Sequence, residues 1–276
     1  MKYSTLIIDS MNLGYMVFNS LSSKNLSQIG EKLVYKNFVK EYVETVDYLK
    51  SKYLEDNFRV YLLFDNHTSR EDIKKLFKPL SENDNRKEVN PEYKSNRTNE
   101  KKEFYNSLDL VKYYYTQYKE GYFTVRIPNL EADDLVPNAI QHARSYDKSF
   151  QKILLVTNDS DWCKHLSSDI DYLPELYKEP FTYDMFARKH KYFPSENKII
   201  LDKLLNGDKA DNVKPVIPEL SSYEKEYIMA HFDSIEDFLF GYSEHPSLVK
   251  HSSLIKSREK DFIVAYQMLA TINVSQ

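Results

Sequence analysis

Apolar residues gather in four short runs early in the chain: "STLIIDS" (4–10), "RVYLLFDN" (59–66), "YFTVRIPN" (122–129) and "KILLVTNDSD" (152–161). Runs this apolar suit strands buried on both faces. Between the first two, "EKLVYKNFVKEYVETVDYLKSKYLED" (31–56) places Leu33, Phe38, Tyr42, Val46 and Leu49 at helical spacing. After the third, "LVPNAIQHA" carries apolar residues along one helix face. Strand-like runs alternating with helical segments predict an α/β fold, a mostly parallel sheet with helices on both faces. From residue 195 onward the pattern is mostly helical. It predicts a smaller lobe over 195–276, beside an α/β unit over 1–194. "SSYE" (221–224) reads as a capping box opening a helix, and "SREKDFIVAYQMLATINVSQ" reads as the last helix.

Acids follow the apolar runs. Asp9 closes the first, Asp65 the second, and Asp159 and Asp161 the fourth. The third leads into "NLEADDLV" (129–136), with Glu131, Asp133 and Asp134 at a helix start. Acids are ordinary in a first helical turn, where free N–H groups carry partial positive charge, and Asn129 can cap that helix. Asp also commonly ends strands. Each case alone has such an explanation; four convergent cases strain it. A parallel sheet collects the carboxyl ends of its strands along one edge, where ligands bind, so these carboxylates would meet there. Asp208 and Asp211 in "LLNGDKADN" (204–212), three apart, are expected on one side of a helical turn.

Unit charges about 4 Å apart repel by roughly 4 kcal/mol at an effective dielectric of about 20. A pocket of carboxylates therefore takes up protons or binds cations. The donors are all oxygen, and no Cys/His spacing suggests zinc. Oxygen-only sites suit Mg²⁺ or Mn²⁺. Two such ions about 4 Å apart can clamp the attacking and leaving oxygens of a phosphodiester.

Composition narrows this only a little. An apolar fraction of 41% and a charged fraction of 29% argue against wholesale disorder and membrane spans. The net charge of −4 gives no global pull toward nucleic acid. A single cysteine, Cys163, excludes an internal disulfide and fits a reducing compartment. "MKYSTLIIDS" leaves no room for a signal peptide before the first strand, so an intracellular, cytoplasmic protein is expected. The segment from Asn66 to about Lys102 stands apart. Residues 70–102 hold ten Lys/Arg and seven Asp/Glu, a local balance of +3. It reads either as a solvated charged loop or as a flap over the acidic edge. In the second case Lys94 and Arg97 neutralise phosphates and Tyr93 stacks on a base.

Six motifs in order, "LIIDS", "LLFDN", "PEYKSNR", "EADD", "VTNDSDW" and "GDKADN", resemble those of the 5′ nuclease superfamily. This is the flap endonuclease and 5′–3′ exonuclease group, and its bacterial and phage members are the most similar. The match covers residues 4 to about 213. The resemblance implies a PIN-like core with a helical arch inserted at about 66–102. It also implies a degenerate helix-hairpin-helix-like duplex-binding lobe over 195–276, and a phosphodiester hydrolase using two divalent ions, Mg²⁺ or Mn²⁺. Carried over by position, Asp65, Glu131 and Asp133 would sit nearer one ion, and Asp159, Asp161 and Asp211 nearer the other. Asp9, Asp134 and Asp208 would complete the site, directly or through water. Lys94 and Arg97 match the arch pair that grips the scissile phosphate, and Arg70 matches a further arch arginine. The implied substrate is DNA with a 5′ end or flap, or an RNA–DNA hybrid, cut by a monomer to leave 5′ phosphates. Primer or flap removal beside replication proteins is the implied role, and the gene could be phage-borne in a bacterial host.

One departure matters. The family usually follows "GDKADN" with a glycine-rich hairpin that holds duplex and a K⁺ ion. Here the chain reads "VKPVIPELSSYEKEY", and its only glycines are at 14, 30, 121, 207 and 241. A close backbone approach that needs glycine is not expected in that stretch. Two rival readings remain at this point. One is a nucleic-acid-binding protein that keeps the fold without turnover, which the full set of acids opposes. The other is a phosphohydrolase of small phosphates, which the basic segment opposes.

Overall fold

The computed structural model describes residues 2–25, 31–65, 102–128, 130–146, 152–209 and 213–270. Five strands form one sheet: β1 (Tyr3–Asp9), β2 (Leu54–Leu63), β3 (Tyr122–Val125), β4 (Ile153–Val156) and β5 (Ile170–Leu173). Their order is β3-β2-β1-β4-β5, and every pairing is parallel. The α/β class with a parallel sheet is thus as expected.

Alternate residues of β1 serve two cores. Leu6 and Ile8 face a layer built by α1 (Ser10–Asn25), α2 (Glu31–Tyr53) and α3 (Lys102–Tyr118). Phe38, Tyr42, Val46 and Leu49 of α2, the residues whose spacing predicted that helix, are all fully buried there. Ile7 faces the other layer, where α4 (Ala132–Tyr146) lays down Leu135, Val136, Ala139, Ile140 and Ala143 beside Trp162. A third core lies within the later helices. After α5 (Tyr183–His190), which buries Phe186 in the second core, these are α6 (Glu196–Asn206), α7 (Ser222–His231), α8 (Ile235–Gly241), α9 (Ser252–Ser257) and α10 (Glu259–Leu269). Leu201, Leu204, Ile228, Phe232, Phe238 and Phe262 are at its centre. The capping box at Ser221 is present: its backbone N–H donates to Glu224 Oε2 at 2.8 Å, and Glu224 N–H donates back to Ser221 Oγ.

Several boundaries differ from the sequence reading. α2 stops at Tyr53 and β2 begins at Leu54, because Leu54 pairs with Tyr3 before the register shifts to Thr5 and Arg59. β5 was not anticipated, since Asp171 interrupts its short apolar stretch "IDYL". Asp208 is not on a helical turn. Gly207, at φ +80°, ends α6, and Asp208 then exchanges two 2.8 Å backbone hydrogen bonds with Val213. Asn129 and the expected arch residues 66–101 lie outside the described residues. No described helix is long and apolar enough to cross a membrane.

Candidate metal centre

The carboxyl edge of the sheet gathers the acids because each strand delivers its acid at its end. Asp9 is the last residue of β1. Asp65 stands two residues past β2, and Asp159 three residues past β4. Between these, the amino end of α4 points at the same edge. Ala132 N–H donates to Asp65 Oδ1 at 2.7 Å, so a free N–H of the first turn is spent on a carboxylate from another strand. Glu131 N–H donates to Asp134 Oδ2 at 3.1 Å, which makes Asp134 the acid that closes this turn.

Asp9 and Asp134 are buried, Asp65, Glu131, Asp133 and Asp161 are half-buried, and Asp159 stands at the exposed rim. Asp9 is held from two sides: Asn12 N–H donates to Oδ1 at 2.9 Å and Thr157 Oγ1 to Oδ2 at 3.1 Å. Even so, burial pushes the Asp9 carboxyl up to about 6, and the charge of Asp133 adds to the rise. Burial lifts Asp65 well above the usual carboxylate range, reinforced by Asp9, Glu131 and Asp133. The protein around Asp159 pushes it up to about 7, with Asp161, Asp133 and Asp9 contributing. Solvent at the rim screens that last group, so Asp9 and Asp65 are the firmer signs of crowding. Six carboxylates from four chain segments therefore sense one another's charge.

Two lysines answer part of that charge. Lys203, in the last turn of α6, reaches both Asp161 and Asp208, tying the helical lobe to the sheet edge. Burial pulls its ammonium down, but the two carboxylates outweigh burial and hold it above its ordinary range. Lys164 lies 4.0 Å from Asp133 and 4.0 Å from Glu196. No three His, Cys, Asp or Glu side chains among the described residues already form a set able to hold a metal ion. The donors that are present are all oxygens. They repel one another, and one pair already embraces an ammonium. That chemistry fits hard divalent cations.

Of the sequence-based candidates, Asp9, Asp65, Glu131, Asp133, Asp159 and Asp161 are linked in this group, Asp134 supports it, and Asp208 joins through Lys203. Asp211, Arg70, Tyr93, Lys94 and Arg97 lie outside the described residues. Sequence reasoning missed Lys203 and Lys164. A lysine in the last turn of a helix reads as a partner for the helix dipole, and nothing local shows that it reaches another lobe. Thr157 was missed as well; its hydroxyl also accepts from Asp159 N–H at 3.1 Å, so it orients both neighbours. Trp162 and Cys163 are core residues, and burial pushes the Cys163 thiol up to about 12.

The profile of the family described as "5'-3' exonuclease, N-terminal resolvase-like domain" matches residues 4–192. Among solved structures, the fold is similar to that of the bacteriophage T5 D15 protein co-crystallised with metal ions. The TM-score is 0.66 at 17% identity, over 96% of this chain and 89% of that one. It is also similar to the T5 5′-exonuclease with bound zinc ions, at TM-score 0.65 and 19% identity, over 96% and 87%. A third is the bacteriophage T5 D15 flap endonuclease in a pseudo-enzyme-product complex with DNA and metal ions. There the TM-score is 0.64 at 20% identity, over 96% and 87%.

Proposed function

Because this chain belongs to the 5′–3′ exonuclease family with the N-terminal resolvase-like domain, we propose that it is a divalent-metal-dependent 5′ nuclease. It hydrolyses phosphodiesters of DNA at 5′ ends or flap junctions and leaves 5′ phosphates. The observation that carries the reading is the crowding of Asp9, Asp65, Glu131, Asp133, Asp159 and Asp161 at one sheet edge, where burial and the neighbouring charges lift the carboxyls of Asp9, Asp65 and Asp159. Those six, with Asp134, Asp208 and Asp211, would hold the ions, Mg²⁺ or Mn²⁺ and two in number. The bound ions would supply positive charge that stabilises the attacking and leaving oxygens of the phosphodiester.

The chain's own residues do the rest. Asn12, Thr157 and Ala132 fix the directions of Asp9 and Asp65. The open rim at Asp159 admits a phosphate from solvent. Lys94 and Arg97, with Arg70 and Tyr93, would grip the phosphate and stack on a base from the inserted segment. The helical lobe over 195–276 would hold duplex, without the glycine hairpin usual in the family. Primer or flap removal in replication fits this chemistry, and RNA–DNA hybrids would be cut as well.

The test compares cleavage of a 5′-labelled flap, a blunt duplex and an RNA–DNA hybrid, with Mg²⁺ and with EDTA, by the parent chain and by Asp159→Asn. The parent should cut only with the metal, and the variant should bind but not cut. Full activity in Asp159→Asn would contradict the site assignment. Wild-type rates in Lys94→Ala would remove the inserted segment from the mechanism.

A further inference from the structure

A cleft of about 450 Å³ opens beside the acids, on the α1/α2 face of the sheet. Its walls come from α1 at Ser20, from α2 at Glu41 and Thr45, from the loop after β4 at Asn158, and from the turn after β5 at Tyr177 and Lys178. Its place follows from topology. The strand order β3-β2-β1-β4-β5 reverses direction between β1 and β4, and a crevice forms outside the carboxyl ends at such a switch point. The cleft shares a wall with the metal centre. Asn158 N–H donates to Asn12 Oδ1 at 3.0 Å, and Asn12 Nδ2 donates back to Asn158 Oδ1. The Asn12 backbone in turn holds Asp9.

Two features of the mouth indicate what fits. Tyr177 is 76% exposed, and its ring leans at 50° against Tyr48, with centroids 5.5 Å apart, rather than stacking on it. An exposed tyrosine is a platform on which any base can stack. Lys178 is exposed, and its ammonium makes a surface pair with Glu175 at 2.7 Å; such pairs hold little energy and yield readily to a phosphate. The cleft lies at the small end of the ligand-pocket range, about 300–1,000 Å³. That room suits one nucleoside and excludes a stretch of duplex.

Resting on the nuclease reading, we propose that this cleft is a single-nucleotide subsite. One unpaired base of the substrate strand, next to the phosphodiester at the acidic edge, enters between α1, α2 and the β5 turn. It stacks on Tyr177 and places its flanking phosphate at Lys178. The cleft would then set which bond of the strand is cut.

The test is binding of the full chain, in EDTA, to a series of flap oligonucleotides with one abasic position moved stepwise past the junction. Wild type should lose about tenfold in affinity at a single position, the size of one base–aromatic stack. 2-Aminopurine at that position should be quenched on binding. Tyr177→Ala, and separately Ser20→Phe, which fills the cleft, should bind the intact and abasic strands equally, while Tyr177→Trp keeps the difference. Equal binding of all abasic strands by wild type would overturn the subsite, as would an unchanged ratio in both Tyr177→Ala and Ser20→Phe. The readout needs no turnover, so the two readings fail separately. Normal cutting without any position effect refutes the subsite alone; a position effect without any cutting refutes the nuclease alone.

Discussion

The sheet places acids at both its edges and treats them in opposite ways. At the amino edge, Asp171 of β5 is buried and fully answered: Tyr3 Oη donates to its Oδ2 at 2.7 Å and Lys152 Nζ at 2.8 Å. At the carboxyl edge, Asp9 receives neutral donors, the Asn12 and Met11 backbone and the Thr157 hydroxyl, while burial and the charge of Asp133 raise its proton affinity. A buried acid with its own cation is structural, and removing one partner leaves the other stranded. Buried acids that lift a neighbour's proton affinity, with two lysines at the margin, are the pattern that the proposed metal site would require.

Substitutions at the two edges should separate these roles, beginning with the largest effect. Asp9→Asn should lower the cleavage rate about 1,000-fold, near 4 kcal/mol of barrier, and leave the metal-free chain at least as stable as the parent. Single-turnover cleavage and thermal melting in EDTA would show both. Asp171→Asn should do the reverse, costing about 3 kcal/mol of stability by stranding Lys152 while the folded fraction cuts at the parental rate; urea unfolding beside the same cleavage assay measures it. Gly207→Ala touches the link between the edge and the helical lobe. Its φ is +80° and a Cβ would stand 2.8 Å from Pro215 Cδ, so a loss of about 2 kcal/mol is expected, and urea unfolding would again report it.

The smallest effect is on pH dependence. Asp9 keeps its proton in the folded chain up to about pH 6, whereas an unfolded aspartate releases it near pH 4. The fold therefore binds more protons across that window, and stability falls as pH rises through it. In EDTA the Tm should drop by a few degrees from pH 4.5 to 7. Asp9→Asn should flatten the slope, and Mg²⁺ should reverse it.

Much of this was legible in the chain. The α2 face was visible in the spacing of Phe38, Tyr42, Val46 and Leu49, because burial on one helix side writes a period into the sequence. The acids could be found because a strand end is a local signal. What stayed hidden depends on tertiary approach. Lys203 reaches Asp161 across forty-two positions of sequence. β5 is short and polar in its middle, so periodicity passes over it. Asp208 looked helical until Gly207 turned the chain away.

Diffraction from crystals soaked in Mn²⁺, read at the manganese absorption edge, addresses the carboxyl edge directly. Anomalous peaks should appear about 2.1 Å from carboxylate oxygens of Asp65, Asp133 and Asp159, and vanish in Asp159→Asn or after EDTA. Saturating Mn²⁺ that left this edge empty, with cleavage intact, would contradict the assignment of these acids to metal.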